Sequence, residues 1–350
     1  MLIRPLSSSD HEALLALWNA VAPEALCLPL ARDDRRMSLS RTGAVRLGAE
    51  DDSLEGFLCG TVGGEWAWLD LVLVAREKRR QGIGRALVEA FEAQVRAAGV
   101  RGVRVGGSPL DIAWRLPRTG GHEHPHLPGV PVGFPAFPYQ SYFHRGADFL
   151  KACGYAERTR VMAMDCALGL GHGPVAELAG QRGYALRRAG IEFLDRPPAD
   201  GALRYDALCD HVGSEYWRAA LKTELEAWRA GKPNADPRFW PDGRQPLGPR
   251  PLLMAVDGGE VVGFTGPVDV QRNRRGWFTG LCVDPAYQRR GIGRVLFEAL
   301  MLTLADEGAE YMTLYTGEGN PARRLYEREG FTARQTFALL GKEWEDRHDA

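Results

Sequence analysis

Two short runs in this chain combine residue types and spacing suited to holding an anion. Arg79-Arg80-Gln81-Gly82-Ile83-Gly84-Arg85 is answered, position for position, by Gln288-Arg289-Arg290-Gly291-Ile292-Gly293-Arg294. A strand that runs into Gly-x-Gly at the start of a helix leaves the N–H groups of the first turn unpaired, and the helix dipole adds partial positive charge there. Glycine keeps side chains away from the anion and reaches backbone angles that other residues avoid. Flanking arginines supply charge-assisted hydrogen bonds. Two familiar nucleotide readings fail. The dinucleotide fingerprint needs a third glycine where Leu87 and Leu296 stand. A P-loop needs Lys followed by Ser or Thr, but Arg85-Ala86 and Arg294-Val295 occupy those positions.

The elements that would position these turns are duplicated with them. Each turn follows a β-like run, residues 68–74 in the first copy and 277–283 in the second. Each opens an apolar-periodic helix, 86–99 and 295–308, closed by a glycine. A further strand follows in each copy, 100–107 and 309–317. Phe149-Leu150-Lys151-Ala152-Cys153-Gly154-Tyr155 then answers Leu325-Tyr326-Glu327-Arg328-Glu329-Gly330-Phe331. So many elements recurring in one order mark a duplicated domain. The expected division is a first domain at 1–170, a linker at 171–182 and a second domain at 183–350. The breaker-rich stretch 169–174 forms the seam, and a fresh strand is expected from Tyr184 to Arg188. The copies differ in one respect: 72 positions separate Gly82 from Gly154, but 39 separate Gly291 from Gly330. The excess is an insert near 108–145, rich in Pro, Gly and His.

A length of 350 residues suits two ordinary domains. Forty-four basic residues nearly cancel 45 acidic ones, so no global field draws nucleic acid or anionic lipid; an anion needs a local site. No apolar stretch approaches the roughly 18 residues of a spanning helix. Asp10, His11 and Glu12 interrupt what a signal peptide would need as an apolar core. Cys27, Cys59, Cys153, Cys166, Cys209 and Cys282 are scattered without a Cys-x-x-Cys pair, which suits buried thiols in a reducing cytoplasm better than disulfides or zinc. The expected location is the cytoplasm.

Val283-Asp284-Pro285-Ala286-Tyr287-Gln288-Arg289-Arg290-Gly291-Ile292-Gly293 resembles the Arg/Gln-x-x-Gly-x-Gly/Ala signature of the GCN5-related N-acetyltransferase (GNAT) superfamily. Asn320-Pro321-Ala322-Arg323-Arg324-Leu325-Tyr326-Glu327-Arg328-Glu329-Gly330-Phe331 is similar to that superfamily's second hallmark. The resemblance covers 277–340 directly and 68–107 in the first copy. It implies an α/β (α+β) fold of two tandem GNAT-like domains, each a mixed, mainly antiparallel sheet flanked by helices. It also implies acetyl-CoA as cosubstrate and no metal. The strand backbone at Leu281, Cys282 and Val283, and at Leu73 and Val74 in the first copy, would pair with the pantetheine amides. The turns, residues 79–85 and 288–294, would hold the pyrophosphate. Strands 277–283 and 309–316 would splay to admit the thioester, and a primary amine of a small molecule would attack it directly. Two rival readings are an acyl-CoA sensor without turnover and an N-acetyltransferase acting on a peptide terminus or lysine.

By the same resemblance Tyr326 is the acid that meets the departing thiolate; packing alone is the other reading. A tyrosine with its usual pKa of about 10 is protonated at neutral pH, as a donor must be. Asn320 would support the cofactor or cap the helix. The base is open between Glu318, Asp269 and a water relay. In the first copy Leu150 stands opposite Tyr326 and His144 opposite Asn320, so that copy is expected to bind acetyl-CoA without strong catalysis, or to serve as structure. Tyr139, Tyr142 or His144 of the insert could substitute. His122, His124 and His126 read as a solvated loop rather than a metal site. The aromatic run 134–144 reads as a lid or as loop packing. The helix at 213–230, with Glu215, Tyr216, Trp217, Glu224 and Glu226, could meet a cationic acceptor or form a solvated face.

Overall fold

Small residues on one face of a strand let a helix lie close to it, and the first sheet is built that way. In the computed structural model, β3 (Leu54–Gly63) places Gly56 and Gly60 under α2 (Ile83–Ala97). A Cβ at Gly56 would stand 2.8 Å from Ile83 Cγ2, and one at Gly60 would stand 2.5 Å from Phe91 Cε2. The described residues are 1–21, 44–106, 130–132, 144–168, 172–198, 203–213, 215–232, 248–270, 274–278 and 280–344. The histidine cluster and most of the aromatic run of the insert lie outside them.

Packing divides the chain into two compact units. The first comprises Met1–Met164, Tyr315–Arg323 and Ala333–Ala350; the second comprises Asp165–Leu314 and Arg324–Thr332. In the first unit β1 (Leu2–Pro5), β2 (Ala44–Glu50), β3 and β4 (Trp66–Val74) form an antiparallel meander. β5 (Gly102–Val105) adds parallel to β4, and the chain's last strand, β15 (Thr332–Glu343), pairs antiparallel with β5. β6 (Val130–Val132) pairs with β15, and β7 (Ala156–Ala167) follows β15 in the sheet order. α2 covers one face through Leu87, Val88, Phe91 and Val95. α1 (His11–Val21) covers the other, placing Leu14, Leu17, Trp18 and Val21 on Phe57, Cys59 and Leu73. α3 (His144–Ala152) contributes Leu150 to the α2 side.

The second unit opens with α4 (His172–Arg188) and β8 (Ile191–Leu194). This corrects one sequence expectation: Tyr184 to Arg188 is the last turn of α4 rather than a strand. Ala, Leu and Arg favour helix there, Gly190 at φ +90° ends it, and buried Gly183 lets α4 approach Val295. α5 (Asp206–Val212) and α6 (Glu215–Ala230) follow. β8, β9 (Leu253–Asp257), β10 (Glu260–Thr265) and β13 (Leu281–Val283) form an antiparallel sheet in the order β13-β10-β9-β8. Leu208, Leu221 and Leu225 of α5 and α6 pack with Met254, Val256, Phe264 and Cys282. α7 (Ile292–Asp306) packs on β9, β10 and β13, with Gly263 admitting Leu296. Separately, β11 (Asp269–Val270) pairs antiparallel with β12 (Arg275–Trp277), and β12 pairs parallel with β14 (Tyr311–Gly317). α8 (Arg323–Arg328) precedes β15.

Candidate functional site

The two glycine turns have the same backbone conformation. After β4 and after β13 the chain makes one 3-10 turn, Arg76–Lys78 and Pro285–Tyr287. Arg80 and Arg289 then take φ +66° and +62°, and Gly82 and Gly291 take φ +88° and +90° before α2 and α7 begin. A left-handed residue beside a right-handed one, as at Gly82-Ile83 and Gly291-Ile292, turns successive N–H groups the same way, which suits an anion. No side chain caps either helix, and neither first turn holds a carboxylate. A Cβ on Gly82 or Gly291 would meet nothing within 4 Å. Here glycine is required by its left-handed angle, and the space outside it is open among the described residues. Gly84 and Gly293 are held for a different reason: a Cβ would come 3.3 Å from Phe149 and 3.4 Å from Val283, so these glycines set helix-to-neighbour distance. Each turn is also tied to its strand at one point. Arg79 Nε donates to the Val74 carbonyl at 3.1 Å, and Gln288 Nε2 donates to the Val283 carbonyl at 3.1 Å.

The strand leading into each turn loses its parallel neighbour on the way. β4 pairs with β5 only at Trp66, Ala67 and Trp68. There Asp70 bulges out of the β3–β4 ladder, between the pairs Gly60↔Leu69 and Cys59↔Leu71. Thr61 Oγ1 donates to its carboxylate at 2.8 Å. A bulge flips the phase of a strand. Ala67 and Leu69 face α2, whereas Leu73 faces α1 and Val72 and Val74 face α2. In the second unit the run expected as one strand over 277–283 is two: β12 ends at Trp277 and pairs with β14, while β13 begins at Leu281 and pairs with β10 at the edge of another sheet. Gly280, just before β13, takes φ +131°, and Thr265 Oγ1 donates to its carbonyl at 2.7 Å. Among the described residues, Val74 and Val283 therefore end strands with no second strand paired beside the turn. The Cys282 side chain is buried in the core and its thiol is pushed up to about 12 by burial, so β13 offers a ligand its backbone rather than its thiol.

Tyr326 is buried among Phe278, Phe297 and Phe331, with ring centroids 6.0, 5.1 and 6.2 Å away. Burial raises its pKa to about 12 and keeps its proton in place at neutral pH. Leu150, at the matching position of the first unit, is a core residue. The arginines divide by role. Arg80 and Arg289 are exposed. Arg85 donates to the Ala152 carbonyl, while Arg290 donates to the Ala286 carbonyl and lies over the Tyr287 ring. Arg294 is engaged by Glu298 and Glu329. Ile83 and Ile292 anchor the first turns in the core, and Gln81 donates to the Glu77 carbonyl.

Asn320 Oδ1 accepts from Ala322 N at 2.9 Å, a local turn before α8. Glu318 is exposed after β14 and lines a shallow polar groove with Glu157, Arg158, Thr159, Arg160 and Gly319. Asp269 is buried in β11, and Glu224, read from sequence as a helix-surface carboxylate, is 2% exposed; the side chains of Glu215, Tyr216 and Trp217 lie outside the described residues. Sequence reasoning does not single out His211. Its Nδ1 lies 2.8 Å from Oδ2 of buried Asp284, whose Oδ1 accepts from Ala286 N, so the pair ties α5 to the start of the turn. Pairing of an exposed histidine on one helix with an aspartate 73 positions away leaves no local pattern to read.

A model of the Acetyltransferase (GNAT) family matches residues 11–116 and 215–331. The chain belongs to the GNAT family. The duplicated turn is thus a duplicated family signature, in a family that uses acetyl-CoA. Among curated proteins, the GNAT chain is 37% identical over 92 residues to a mycothiol acetyltransferase of Propionibacterium freudenreichii subsp. shermanii, covering 25% of this chain and 30% of that one. It is 35% identical over 127 residues to a mycothiol acetyltransferase of Thermomonospora curvata, covering 36% and 37%. The matches thus span about a third of those relatives' lengths. Among solved structures, a tandem GNAT protein from the clavulanic acid biosynthesis pathway superposes with a TM-score of 0.52 at 18% identity, covering 98% of both chains. That likeness is one of fold. No helix among the described residues is long and apolar enough to cross a membrane.

Proposed function

We propose that this GNAT protein transfers the acetyl group of acetyl-CoA directly to a primary amine of a small molecule, with the chemistry in the second unit. The observation that carries the reading is the uncapped left-handed turn at the end of a strand, present twice, with Tyr326 buried in the second unit at the position that Leu150 holds in the first. The space outside Gly82 and Gly291 and the unpaired first-turn N–H groups suit a pyrophosphate in both units. Acetyl-CoA supplies the activated acyl group; the residues of this chain bind, orient and move protons. Backbone groups of Leu281, Cys282 and Val283 pair with the pantetheine arm, and Gln288 holds the strand end against the turn. Tyr326, protonated and shielded, donates to the leaving sulfur. The first unit, with Leu150 in place of tyrosine, binds the anionic end of acetyl-CoA without chemistry. The proposed boundaries of the duplicated domains remain 1–170 and 183–350. The names of the curated relatives, and the pathway named for the tandem structure, support a small-molecule acceptor.

The test is thiol release from acetyl-CoA with a panel of small amines, peptide N-termini and lysine peptides, in wild type and Tyr326→Phe. The reading expects turnover with a small amine and a kcat lowered by about 10²- to 10⁴-fold in the variant, at nearly unchanged acetyl-CoA affinity. Tight acetyl-CoA binding with no turnover on any amine would make the protein a sensor. A kcat within twofold of wild type would leave Tyr326 a packing residue.

A further inference from the structure

We propose that Arg294 is a positioning residue: it joins the helix that follows the glycine turn to the helix that carries Tyr326, through two buried carboxylates. The inference rests on the role of Tyr326 proposed above. Arg294 is the last residue of the signature run and from sequence reads as a phosphate contact. Its Nε is engaged by two carboxylates. Arg294 Nε donates to Glu298 Oε1 at 2.8 Å, one turn along α7, and stands 2.7 Å from Glu329 Oε1. Both carboxylates are nearly sealed from solvent, their side chains 1% and 2% exposed. Arg182 of α4 also reaches Glu298 Oε1. Among the described residues Glu298 Oε2 has no hydrogen-bond partner, and Glu329 Oε1 meets Arg294 as an ion pair without hydrogen-bond geometry. The Glu329 carboxyl is pushed up by burial and by Glu298, and held down by Arg294 and Arg182. Both contacts are made through Nε, so the side chain is anchored to the two carboxylates along its inner edge.

Glu329 is the residue through which the clamp reaches Tyr326. Its N–H donates to the carbonyls of Leu325 and Tyr326, both at 3.1 Å, and Phe331 N donates to the Tyr326 carbonyl at 3.0 Å. Phe331 is one wall of the Tyr326 aromatic cluster, and Phe297, beside Glu298 on α7, is another. Fixing the Glu329 side chain to α7 therefore fixes the end of α8 against the helix whose first turn is the proposed pyrophosphate cradle. The first unit supplies the comparison. There Arg85 reaches only a backbone carbonyl, Ala152, while Glu89 at the Glu298 position is exposed and Cys153 replaces Glu329. The clamp is present where the tyrosine is present and absent where leucine replaces it.

The experiment is a double-mutant cycle read in kinetics. Arg294→Gln, Arg294→Lys and Glu329→Gln are made in the wild-type and Tyr326→Phe backgrounds. Each is assayed with acetyl-CoA and with S-acetyl-pantetheine, which lacks the pyrophosphate. We expect Arg294→Gln and Glu329→Gln to lower kcat about tenfold or more, by the same factor with both donors, and Arg294→Lys to recover part of it. In the Tyr326→Phe background the same changes should alter kcat by less than about twofold. A loss confined to KM for acetyl-CoA, absent with S-acetyl-pantetheine, would make Arg294 a phosphate contact and overturn the proposal. An equal loss in both backgrounds would overturn it too, since the effect would not run through Tyr326. If Tyr326→Phe alone leaves kcat unchanged, the acid assignment fails instead. The clamp is then judged from stability, where Arg294→Gln and Glu329→Gln must be non-additive. Glu329→Gln keeps shape and serves where Arg294→Gln does not fold.

Discussion

Gly82→Glu and Gly291→Glu form a matched pair in which the structure supplies its own control. The two glycines differ by 2° in φ, +88° against +90°, and neither has a heavy atom within 4 Å of a Cβ position. The cost of a side chain on the left-handed backbone is therefore the same at both, about 1–2 kcal/mol. For units of this size that is a fall in Tm of about 2–8 °C. Any further difference between the variants reports what lies outside the turn. A carboxylate about 4 Å from a phosphate charge costs about 4 kcal/mol at an effective dielectric of about 20. Side-chain swing and solvent reduce that, so a tenfold loss of acetyl-CoA affinity, about 1.4 kcal/mol, is the lower bound expected at each site. Calorimetric titration with CoA would measure the affinity, thiol release the turnover, and thermal melts the folding cost. Gly82→Glu should keep most activity and Gly291→Glu should lose it. A folded, inactive Gly82→Glu beside an active Gly291→Glu would refute the assignment of chemistry to the second unit; unchanged CoA binding in both would refute the anion site itself.

Three other perturbations have expected outcomes. Burial lifts Tyr326 to about 12 when folded, above its unfolded value of about 10. Its contribution to stability is thus complete below pH 10 and lost as pH rises toward 12; the urea midpoint should fall less between pH 9.5 and 11.5 in Tyr326→Phe than in wild type, as followed by circular dichroism. Lys342 Nζ donates to Glu92 at 2.7 Å and to the Cys153 carbonyl at 2.9 Å. Lys342→Met should cost about 3 kcal/mol in denaturant unfolding by stranding Glu92, and adding Glu92→Leu should restore most of it. Gly60→Ala would place a Cβ 2.5 Å from both Phe91 Cε2 and the Trp68 carbonyl oxygen; the carbonyl cannot yield, so a loss of about 1–3 kcal/mol is expected, read as a lower Tm.

The repeat, the glycine turns and the helices that follow them were legible because each rests on local chemistry: periodicity, a left-handed glycine, a helix stop. The expected helix at 295–308 and the observed Ile292–Asp306 differ by a turn because the glycine pair itself opens the helix. What could not be read is long-range. Tyr184 and Leu186 alternate like strand residues, yet they lie in a helix whose Gly183 meets α7, a fact that only packing decides. The bulge at Asp70 has no glycine or proline to announce it; Thr61 across the ladder stabilises it. The arginines of the signature look alike in sequence, and only the burial of Glu298 and Glu329 separates Arg294 from Arg289. Cys153 opposite Glu329 in the repeat is the one readable hint of that difference.

The membership of β15 in the first unit sets the order in which the protein can be made. β5 must wait for the partners of Val105, Arg104, Val103 and Gly102, which are Leu340, Gly341, Lys342 and Glu343 at the far end of the chain. At ribosomal rates of about 5–20 residues per second, that is a delay of roughly 10 to 50 s between emergence of the two strands. Until then a sheet edge stands open on the nascent polypeptide, the kind of edge along which chains aggregate. Its defences are brevity, four residues, and the charge of Arg104. The first unit begins to form long before β15, the strand that completes it, has been made.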